Sequence, residues 1–358
     1  MNKISNCLLI VALVYIAIPI YAAKDEFSKT LQKEYNVHEN TSLEIVNKYG
    51  EIHIEDWNRQ LIRIDVKITV EHNNKAEADE LLKMINVSFG EIGDAVKAVT
   101  EIEEGFGNSR GWFGNHEGKK FRIDYQINIP KSISLKLSNK YGNIFLSNLS
   151  GMLEIDLKYG NLNINNITRG DLKPMNQIAV AYGKATIEQA NWVKLSLSYS
   201  KASFQSCKAL IAVSKYSKIN LDKASSIVAE SAYDDYSMGE LTNVVLTGRY
   251  SHYNFRSIAK KLDAEAKYSD INVESIPDGF ESIKVENAYG KINLGIDPSA
   301  SYELNAFVKY AGITYPENNR ISRIAQNAQT TVKGHVGNVK SESKVDISSS
   351  YGGVNLMK

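Results

Sequence analysis

The chain is poor in cysteine and proline, and its charges nearly cancel. It has 2 Cys and 6 Pro in 358 residues, which is too few cysteines for a disulfide framework. Lys+Arg 42 against Asp+Glu 41 leaves a net charge of +1, so no global field draws the chain to nucleic acid or anionic lipid. Beyond the N-terminus, no segment is long and apolar enough to span a bilayer. Burial and hydrogen bonds must therefore hold the fold together.

The N-terminus has the pattern of a secretory signal peptide. Lys3 precedes an apolar run over residues 7–21, and Ala22 and Ala23 follow before the first charged cluster. We expect cleavage after Ala22, which leaves Cys207 as the single cysteine of an exported chain without a transmembrane segment. The alternative is an uncleaved membrane anchor, although about 15 apolar residues fall short of the ~20 that a span needs.

Tyrosine is abundant, and it recurs at a nearly constant spacing. Twelve of the 20 Tyr residues belong to one series, in which a small residue usually follows and lysine often precedes. The series is Tyr49, Tyr141, Tyr159, Tyr182, Tyr199, Tyr216, Tyr233, Tyr250, Tyr268, Tyr289, Tyr310 and Tyr351. Four consecutive steps, from Tyr182 to Tyr250, are 17 residues long. Such self-similarity is typical of a repeat architecture.

The pattern inside each repeat predicts two short strands. With tyrosine as position 0, apolar residues fall at +3, +5, +8, +11, +13 and +15. In the repeat of Tyr182 these are Ala185, Ile187, Ala190, Val193, Leu195 and Leu197. A spacing of two is strand periodicity, and the jump across +8 indicates a corner. Such units bury their apolar side only by stacking, which predicts an all-β fold: a right-handed, single-stranded parallel β-solenoid of about 17–21-residue coils. A sandwich or a propeller fits the spacing less well.

Residues 60–130 interrupt the repeat. Residues 61–70 alternate as a strand, and the apolar spacing that follows predicts one helix near residues 75–88. A glycine-rich aromatic loop occupies residues 105–115. We therefore divide the chain into a signal peptide (1–22), a first coil with an N-terminal strand and helix cap (23–130) and a solenoid domain (131–358). A cap of this kind protects the open end of a stacked sheet.

At this point the sequence resembles a known family. The export signal, the segment 130–142 with its Asn139-Lys140-Tyr141-Gly142 end, and the later Tyr-Gly-x-Ile-x-Leu coils are similar to the putative-adhesin domain family of exported bacterial proteins. The resemblance covers residues 30–358. It implies a β-solenoid with a binding role, and it carries over no catalytic residue.

The sequence contains few features that are typical of an enzyme. The histidines are scattered without metal-ligand spacing, and we find no phosphate-binding or nucleophile motif, so we predict no catalytic, metal or cofactor site. The outward +6 column brings Glu188 and Asp222 two coils apart, which is near the upper separation of an inverting carboxylate pair. A carbohydrate-active enzyme of β-helix type, using this pair, is therefore kept as the alternative.

Two outward columns form the candidate binding surface. The +4 column is rich in asparagine, including Asn220, Asn254 and Asn272, which could recognise a glycan or a partner strand but fits better a hydrogen-bonded ladder that stabilises the sheet. The +12 column places Ile211, Val228 and Val245 on successive coils as an apolar stripe, which is a frequent mark of an interaction site. The alternative is that these are isolated exposed apolar side chains, which are common on protein surfaces and have no binding role.

Two further expectations concern the inner face. Cys207 lies at +8, the column of Ala190 and Ala224, so it should be a buried apolar filler and not a reactive thiol. The tyrosines have the parity of the preceding inward positions, which predicts rings stacked inside one corner and a loss of several kcal/mol for Tyr216→Ala.

Taken together, the sequence favours a non-enzymatic binding or adhesion module. We expect it in the periplasm, on the outer cell surface or secreted, with a cell-surface glycan or an envelope protein as partner and no nucleic acid. A purely structural envelope protein is the third interpretation.

Overall fold

The computed structural model describes residues 25–38, 40–104, 106 and 121–357. The signal peptide and most of the glycine-rich loop, both predicted from the sequence, lie outside these residues. Strands make up 70% of the described residues and helix 3%, so the protein is all-β, as predicted. The strands join in one long open sheet of many parallel strands with antiparallel pairs near both ends.

The strands are numbered along the chain. The N-terminal elements are β1 (Asp25–Asn36), β2 (Ser42–Lys48), β3 (Ile52–Trp57), β4 (Leu61–His72), α1 (Lys75–Lys83), β5 (Ile85–Ile92), β6 (Ala95–Ile102) and β7 (Phe121–Pro130). The repeats contribute β8 (Ser134–Lys140), β9 (Ile144–Leu149), β10 (Leu153–Lys158), β11 (Asn161–Ile167), β12 (Asn176–Ala181), β13 (Lys184–Ser198), β14 (Lys201–Lys215), β15 (Lys218–Ala232), β16 (Asp235–Arg249), β17 (His252–Lys267), β18 (Asp270–Ile276), β19 (Ser282–Ala288) and β20 (Ile292–Ile296). The C-terminal strands are β21 (Tyr302–Lys309), β22 (Ile313–Thr314), β23 (Ile321–Gln326), β24 (Gln329–Val336), β25 (Lys344–Ser350) and β26 (Val354–Asn355).

The repeat fixes the strand register. Strands β13 to β16 are 15 residues long, and each pairs in parallel with the next at an offset of 17 residues, so that Ala185 lies beside Ala202, and Ala202 beside Ile219. Equivalent positions therefore form columns that run from coil to coil. Strand β17 has one residue more, and the register shifts by that residue beyond Leu241, which explains the step of 18 between Tyr250 and Tyr268.

The predicted inner columns are confirmed. In the repeat of Tyr182, Ala185, Ile187, Val193 and Leu195 are each at most 1% exposed, and the same columns are buried in the following coils. Because every coil adds its apolar side to that of its neighbour, the buried side chains form one continuous core.

Antiparallel elements lie at both ends of the parallel stack. At one end β4 pairs with β1 and β7, and β5 pairs with β6. Helix α1 ends at Lys83, earlier than predicted, because β5 takes over at Ile85. Asn74 caps the helix through its side-chain oxygen, which accepts from the backbone N–H of Ala76 at 2.9 Å.

At the other end the order of the strands departs from the order of the sequence. Strand β25 lies between β19 and β21, pairing in parallel with both, and β24 and β23 continue from β21 as an antiparallel extension. The last tyrosine, Tyr351, therefore lies between Tyr289 and Tyr310. The spacing of the tyrosines gives the number of residues between them and not which strands pair, so it could not show that β25 is inserted between β19 and β21.

Candidate functional site: a tyrosine ladder

The repeated tyrosines form a continuous stack on the outside of the sheet, here called the tyrosine ladder. Its twelve members, in spatial order, are Tyr49, Tyr141, Tyr159, Tyr182, Tyr199, Tyr216, Tyr233, Tyr250, Tyr268, Tyr289, Tyr351 and Tyr310. Successive ring centroids are 4.7 to 5.2 Å apart and the planes differ by at most 16°. This spacing equals that of paired strands, so each coil contributes one ring.

The prediction that these rings point inward is wrong. From Tyr159 onward the ladder side chains are 45 to 51% exposed. Every ladder tyrosine has a positive φ, between 51° and 65°, whereas alternation of facing holds only along extended backbone. The left-handed residue reverses the facing of its side chain, and parity counted through the corner therefore fails.

The stacking decides which part of each ring a ligand can reach. Both faces of an interior ring are covered by its neighbours, so the exposed surface consists of ring edges and phenolic hydroxyls. From Tyr159 onward, these hydroxyls make no hydrogen bond within the described part of the chain. The ladder thus presents a row of ten unengaged hydroxyl groups at a spacing of about 5 Å.

The residue after each ladder tyrosine lies on the inner side of the corner and is small in all coils but one. Glycine fills this +1 column in some coils, and a Cβ on Gly142 would overlap the carbonyl oxygen of Gly50. In three of these coils an asparagine two residues before the tyrosine bonds to the backbone of the neighbouring coil, as Asn139 Nδ2 donates to Gly50 O at 3.0 Å. The buried asparagines at this position are Asn47, Asn139 and Asn287.

Serine and one aspartate take the +1 column in the central coils. Ser200, Ser217, Asp234, Ser251 and Ser269 are each at most 7% exposed. The backbone N–H donates to the side chain one coil on, from Ser200 to Ser217 at 3.2 Å and from Ser217 to Asp234 at 2.7 Å. These bonds tie consecutive corners together directly beneath the ladder.

Cationic side chains run beside the ladder. The residue before each tyrosine is basic in seven coils and acidic in none, and these seven residues are called the cationic row: Lys48, Lys140, Lys158, Lys215, Arg249, Lys267 and Lys309. Lys48, Lys140 and Lys309 place Nζ 4.7 to 5.1 Å from the ring centroid of the tyrosine that follows. Lys215, Arg249 and Lys267 are exposed and have no ion-pair partner among the described residues.

A shallow groove lies on each side of the ladder. One, of about 740 Å³, runs along Tyr199 to Tyr250 and includes Lys201 and Lys218. The other, of about 810 Å³, includes Lys215, Arg249 and Lys267. The ladder is therefore a ridge between two grooves, which suits an elongated ligand better than a small enclosed one.

The two columns predicted as a binding surface lie elsewhere on the strands. Ile211, Val228 and Val245 are adjacent on β14, β15 and β16 and point outward, with Val228 46% and Val245 45% exposed. The asparagine column lies in the other half of each strand, beyond the bend.

Asn220 and Asn254 flank Ser237 in that column, and Asn272 follows Asn254. Within the described residues, these three asparagine side chains make no hydrogen bond, so the expected amide ladder is not formed there. Sequence reasoning missed the tyrosine ladder as an exposed surface, although its period was plain.

The two carboxylates considered for catalysis have the predicted separation of two coils. Glu188 and Asp222 are exposed on β13 and β15, with β14 between them. Among the described residues there is no group of three His, Cys, Asp or Glu side chains that could hold a metal ion. His53 pairs with Glu51 at 2.9 Å and stacks on Phe145, and His252 lies 3.8 Å from Asp270. The described part of the chain has no helix long and apolar enough to cross a membrane.

Cys207 is buried, as predicted. It is 3% exposed, its Sγ lies 3.4 Å from the carbonyl oxygen of Ala209, and burial raises the pKa of the thiol to about 12. Because the thiolate is the reactive form, we expect a thiol reagent at pH 8 to label the native protein far more slowly than the unfolded one. Equal labelling rates in buffer and in denaturant would contradict this burial.

The left-handed backbone predicts an unusual order of substitutions at Tyr216. Alanine removes the ring and keeps a Cβ in the left-handed region, whereas glycine removes both. We expect Tyr216→Ala to lower the free energy of unfolding by about 1–2 kcal/mol and Tyr216→Gly to be more stable than Tyr216→Ala by about 1 kcal/mol. Urea denaturation of both variants tests this. The matched pair Val228→Ala and Val228→Gly, at an extended position, should give the opposite order.

The comparisons with known proteins come from solved structures. No family model and no curated protein matches the chain. A putative cell adhesion protein from Clostridium sporogenes ATCC 15579 is 12% identical over 91% of this chain and 98% of that one, with a TM-score of 0.17. A putative adhesin from Parabacteroides merdae ATCC 43184 is 11% identical over 91% and 95%, with a TM-score of 0.29. A putative lipid binding protein from Parabacteroides distasonis ATCC 8503 is 8% identical over 91% and 96%, with a TM-score of 0.32.

Proposed function

We propose that the protein is an exported, non-enzymatic binding or adhesion module that holds an extended ligand along the tyrosine ladder. In this proposal the parallel sheet winds as a right-handed β-solenoid of about 17–21-residue coils, the hand that parallel crossovers favour. The solenoid serves as a rigid scaffold, and the ladder is its ligand-binding surface.

The backbone conformation of the ladder is the observation that carries the proposal. A left-handed conformation costs a residue other than glycine roughly 1 kcal/mol, and this chain uses it at all twelve ladder positions. An extended residue would turn the ring into the core and gain burial. A strained conformation that is repeated to keep aromatic rings outside supports a role at the surface.

The dimensions of the ladder favour a linear ligand. Eleven steps of about 4.9 Å give a ridge roughly 54 Å long, which offers the same hydroxyl, ring edge and groove once per coil. A polymer with a regular repeat can use several equivalent contacts at once, so weak single contacts add up to useful avidity. Surface glycans and extended segments of envelope proteins have this form.

The apolar stripe and the asparagine column lie on other parts of the outer surface, away from the ladder. A contribution of Ile211, Val228, Val245, Asn220, Asn254 or Asn272 to binding stays a prediction, tested alongside the ladder.

A glycan-array screen of the purified chain tests the proposal. The ladder variant is the triple exchange Tyr199→Phe, Tyr216→Phe and Tyr233→Phe, which keeps the stack and removes three exposed hydroxyls. The comparison variant carries Ile211→Asp and Val228→Asp on the stripe. We expect binding of the native protein to at least one glycan, a loss of about tenfold in the ladder variant and little change in the stripe variant. No bound glycan, or loss in the stripe variant alone, would overturn the ladder as the binding edge.

A further inference from the structure

We infer that the ligand of the tyrosine ladder is a linear acidic polysaccharide, whose carboxylates are held by the cationic row and whose hydroxyls meet the phenolic edge. This inference rests on the proposed function and names the chemical class of its ligand. Three features of the described surface carry it.

The first feature is where the charge lies. The whole chain has a net charge of +1, yet the twelve positions before the ladder tyrosines hold seven basic residues and no acidic one. On the other side of the ladder, the column at +2 adds Lys184, Lys201, Lys218 and Lys291 against Glu51, Asp235 and Asp270. Positive charge is therefore concentrated along the ridge, and the rest of the chain is net negative.

The second feature confines that charge. The acidic residues on the side of the cationic row begin one outward column further away, at Asp156, Glu230, Glu265 and Glu286. A polyanion that slid off the ridge in that direction would meet these carboxylates. The arrangement attracts an acidic polymer to the ladder and repels it from the adjoining face, which fixes its line of approach.

The third feature selects among polyanions. Proteins that bind single-stranded nucleic acid stack bases on the faces of aromatic rings. In the ladder those faces are already covered by neighbouring tyrosines at 4.8 to 4.9 Å, as for Tyr216, Tyr233 and Tyr250. Ring edges and hydroxyl groups remain, and these are suited to the hydroxyls and carboxylates of a sugar acid.

Spacing adds geometric support. Lys215 lies beside Ala232 on the next strand, and Arg249 follows Ala232 one strand further, so these two cations are about 10 Å apart along the ladder. Arg249 and Lys267 are on neighbouring strands. Unpaired cations at one-strand and two-strand intervals can contact successive or alternate acidic sugars of one chain.

Polygalacturonate provides the probe, and its fully methyl-esterified form provides the uncharged counterpart with the same backbone. Binding of the purified chain to each is measured by biolayer interferometry at low and at physiological salt, with single-stranded DNA as a second polyanion. The test variant carries Lys215→Gln, Arg249→Gln and Lys267→Gln. The matched control carries Lys194→Gln, Lys208→Gln and Lys223→Gln, three exposed lysines away from the ladder.

We expect polygalacturonate to bind at least tenfold more tightly than its ester and than DNA, and to weaken as salt rises. The test variant should lose about tenfold and the control less than twofold, with unchanged melting temperatures because all six side chains are exposed. Equal binding of the ester, equal binding of DNA, or equal loss in both variants would overturn the acidic-polysaccharide inference. If an array glycan is still bound through the tyrosines in that case, the proposed function stands without it.

Discussion

Gly142→Ala is expected to lower the free energy of unfolding by about 2–3 kcal/mol, although the substitution adds a single methyl group. The added Cβ would overlap the carbonyl oxygen of Gly50 on the neighbouring coil, and both partners are backbone, so no side chain can rotate away. The same oxygen accepts from Asn139 Nδ2 at 3.0 Å, and separating the coils would weaken that buried hydrogen bond as well.

Gly353→Ala is the matched control, because a Cβ on Gly353 meets no atom within 4 Å. Urea denaturation should show a lower midpoint for Gly142→Ala and almost none of that change for Gly353→Ala. If Gly142→Ala unfolds at the midpoint of the native protein, the close approach of the two coils beneath the ladder is not rigid, and the account of the +1 column is wrong.

Much of the fold follows from the repeat because hydrophobic periodicity is a local property. The alternation around Ala185, Ile187 and Leu195 assigns inner and outer faces wherever the backbone is extended, and the structure agrees. The same reasoning placed Cys207 in the core. Nothing beyond side-chain type and a period of two is needed for these assignments.

The facing of the tyrosines could not be counted in the same way. Parity does not pass through a left-handed residue, and Tyr182 or Tyr216 gives no sign of its φ in isolation. One signal was available: all twelve positions hold tyrosine, and none holds phenylalanine or leucine, although an inner column would accept either. A hydroxyl kept in every coil indicates contact with solvent or a ligand.

The strand order at the C-terminal end was beyond sequence reasoning for a different reason. Tyr310 and Tyr351 are 41 residues apart, a distance that suggests a doubled coil. In the structure their rings are in contact at 4.7 Å, and β25 is inserted between two earlier strands. A strand with this repeat pattern can pair in parallel with any other strand of the repeat. The position of β25 between β19 and β21 therefore depends on the packing of the whole stack and not on its own sequence.

Asp234 is the one carboxylate in the buried +1 column, and we expect Asp234→Ser to stabilise the protein. The residue is 3% exposed, and its oxygens accept from Ser214 Oγ at 2.8 Å and from the backbone N–H groups of Ser217 and Ala232. Burial raises the pKa of the carboxyl group above its ordinary value of 3.8, because these hydrogen bonds only partly offset the loss of water. Serine occupies the same column at Ser217 and Ser251 without a charge.

The pH dependence follows from the direction of that shift. The folded protein binds the Asp234 proton more tightly than the unfolded chain, so its stability falls as pH rises from about 3.8 through the higher pKa of the folded state, and the loss persists above it. The Asp234→Ser variant lacks this fall. Its free energy of unfolding should exceed that of the native protein by about 2 kcal/mol at pH 8 and by much less at pH 4, because replacing buried ionic groups often stabilises a protein.

The control is Asp222→Ser, which alters an exposed carboxylate on β15, and its stability curve against pH should parallel that of the native protein. Denaturation midpoints across this pH range decide the matter: an Asp234→Ser curve that parallels the native one, or lies below it at pH 8, would mean that the carboxylate stabilises the corner beneath the ladder.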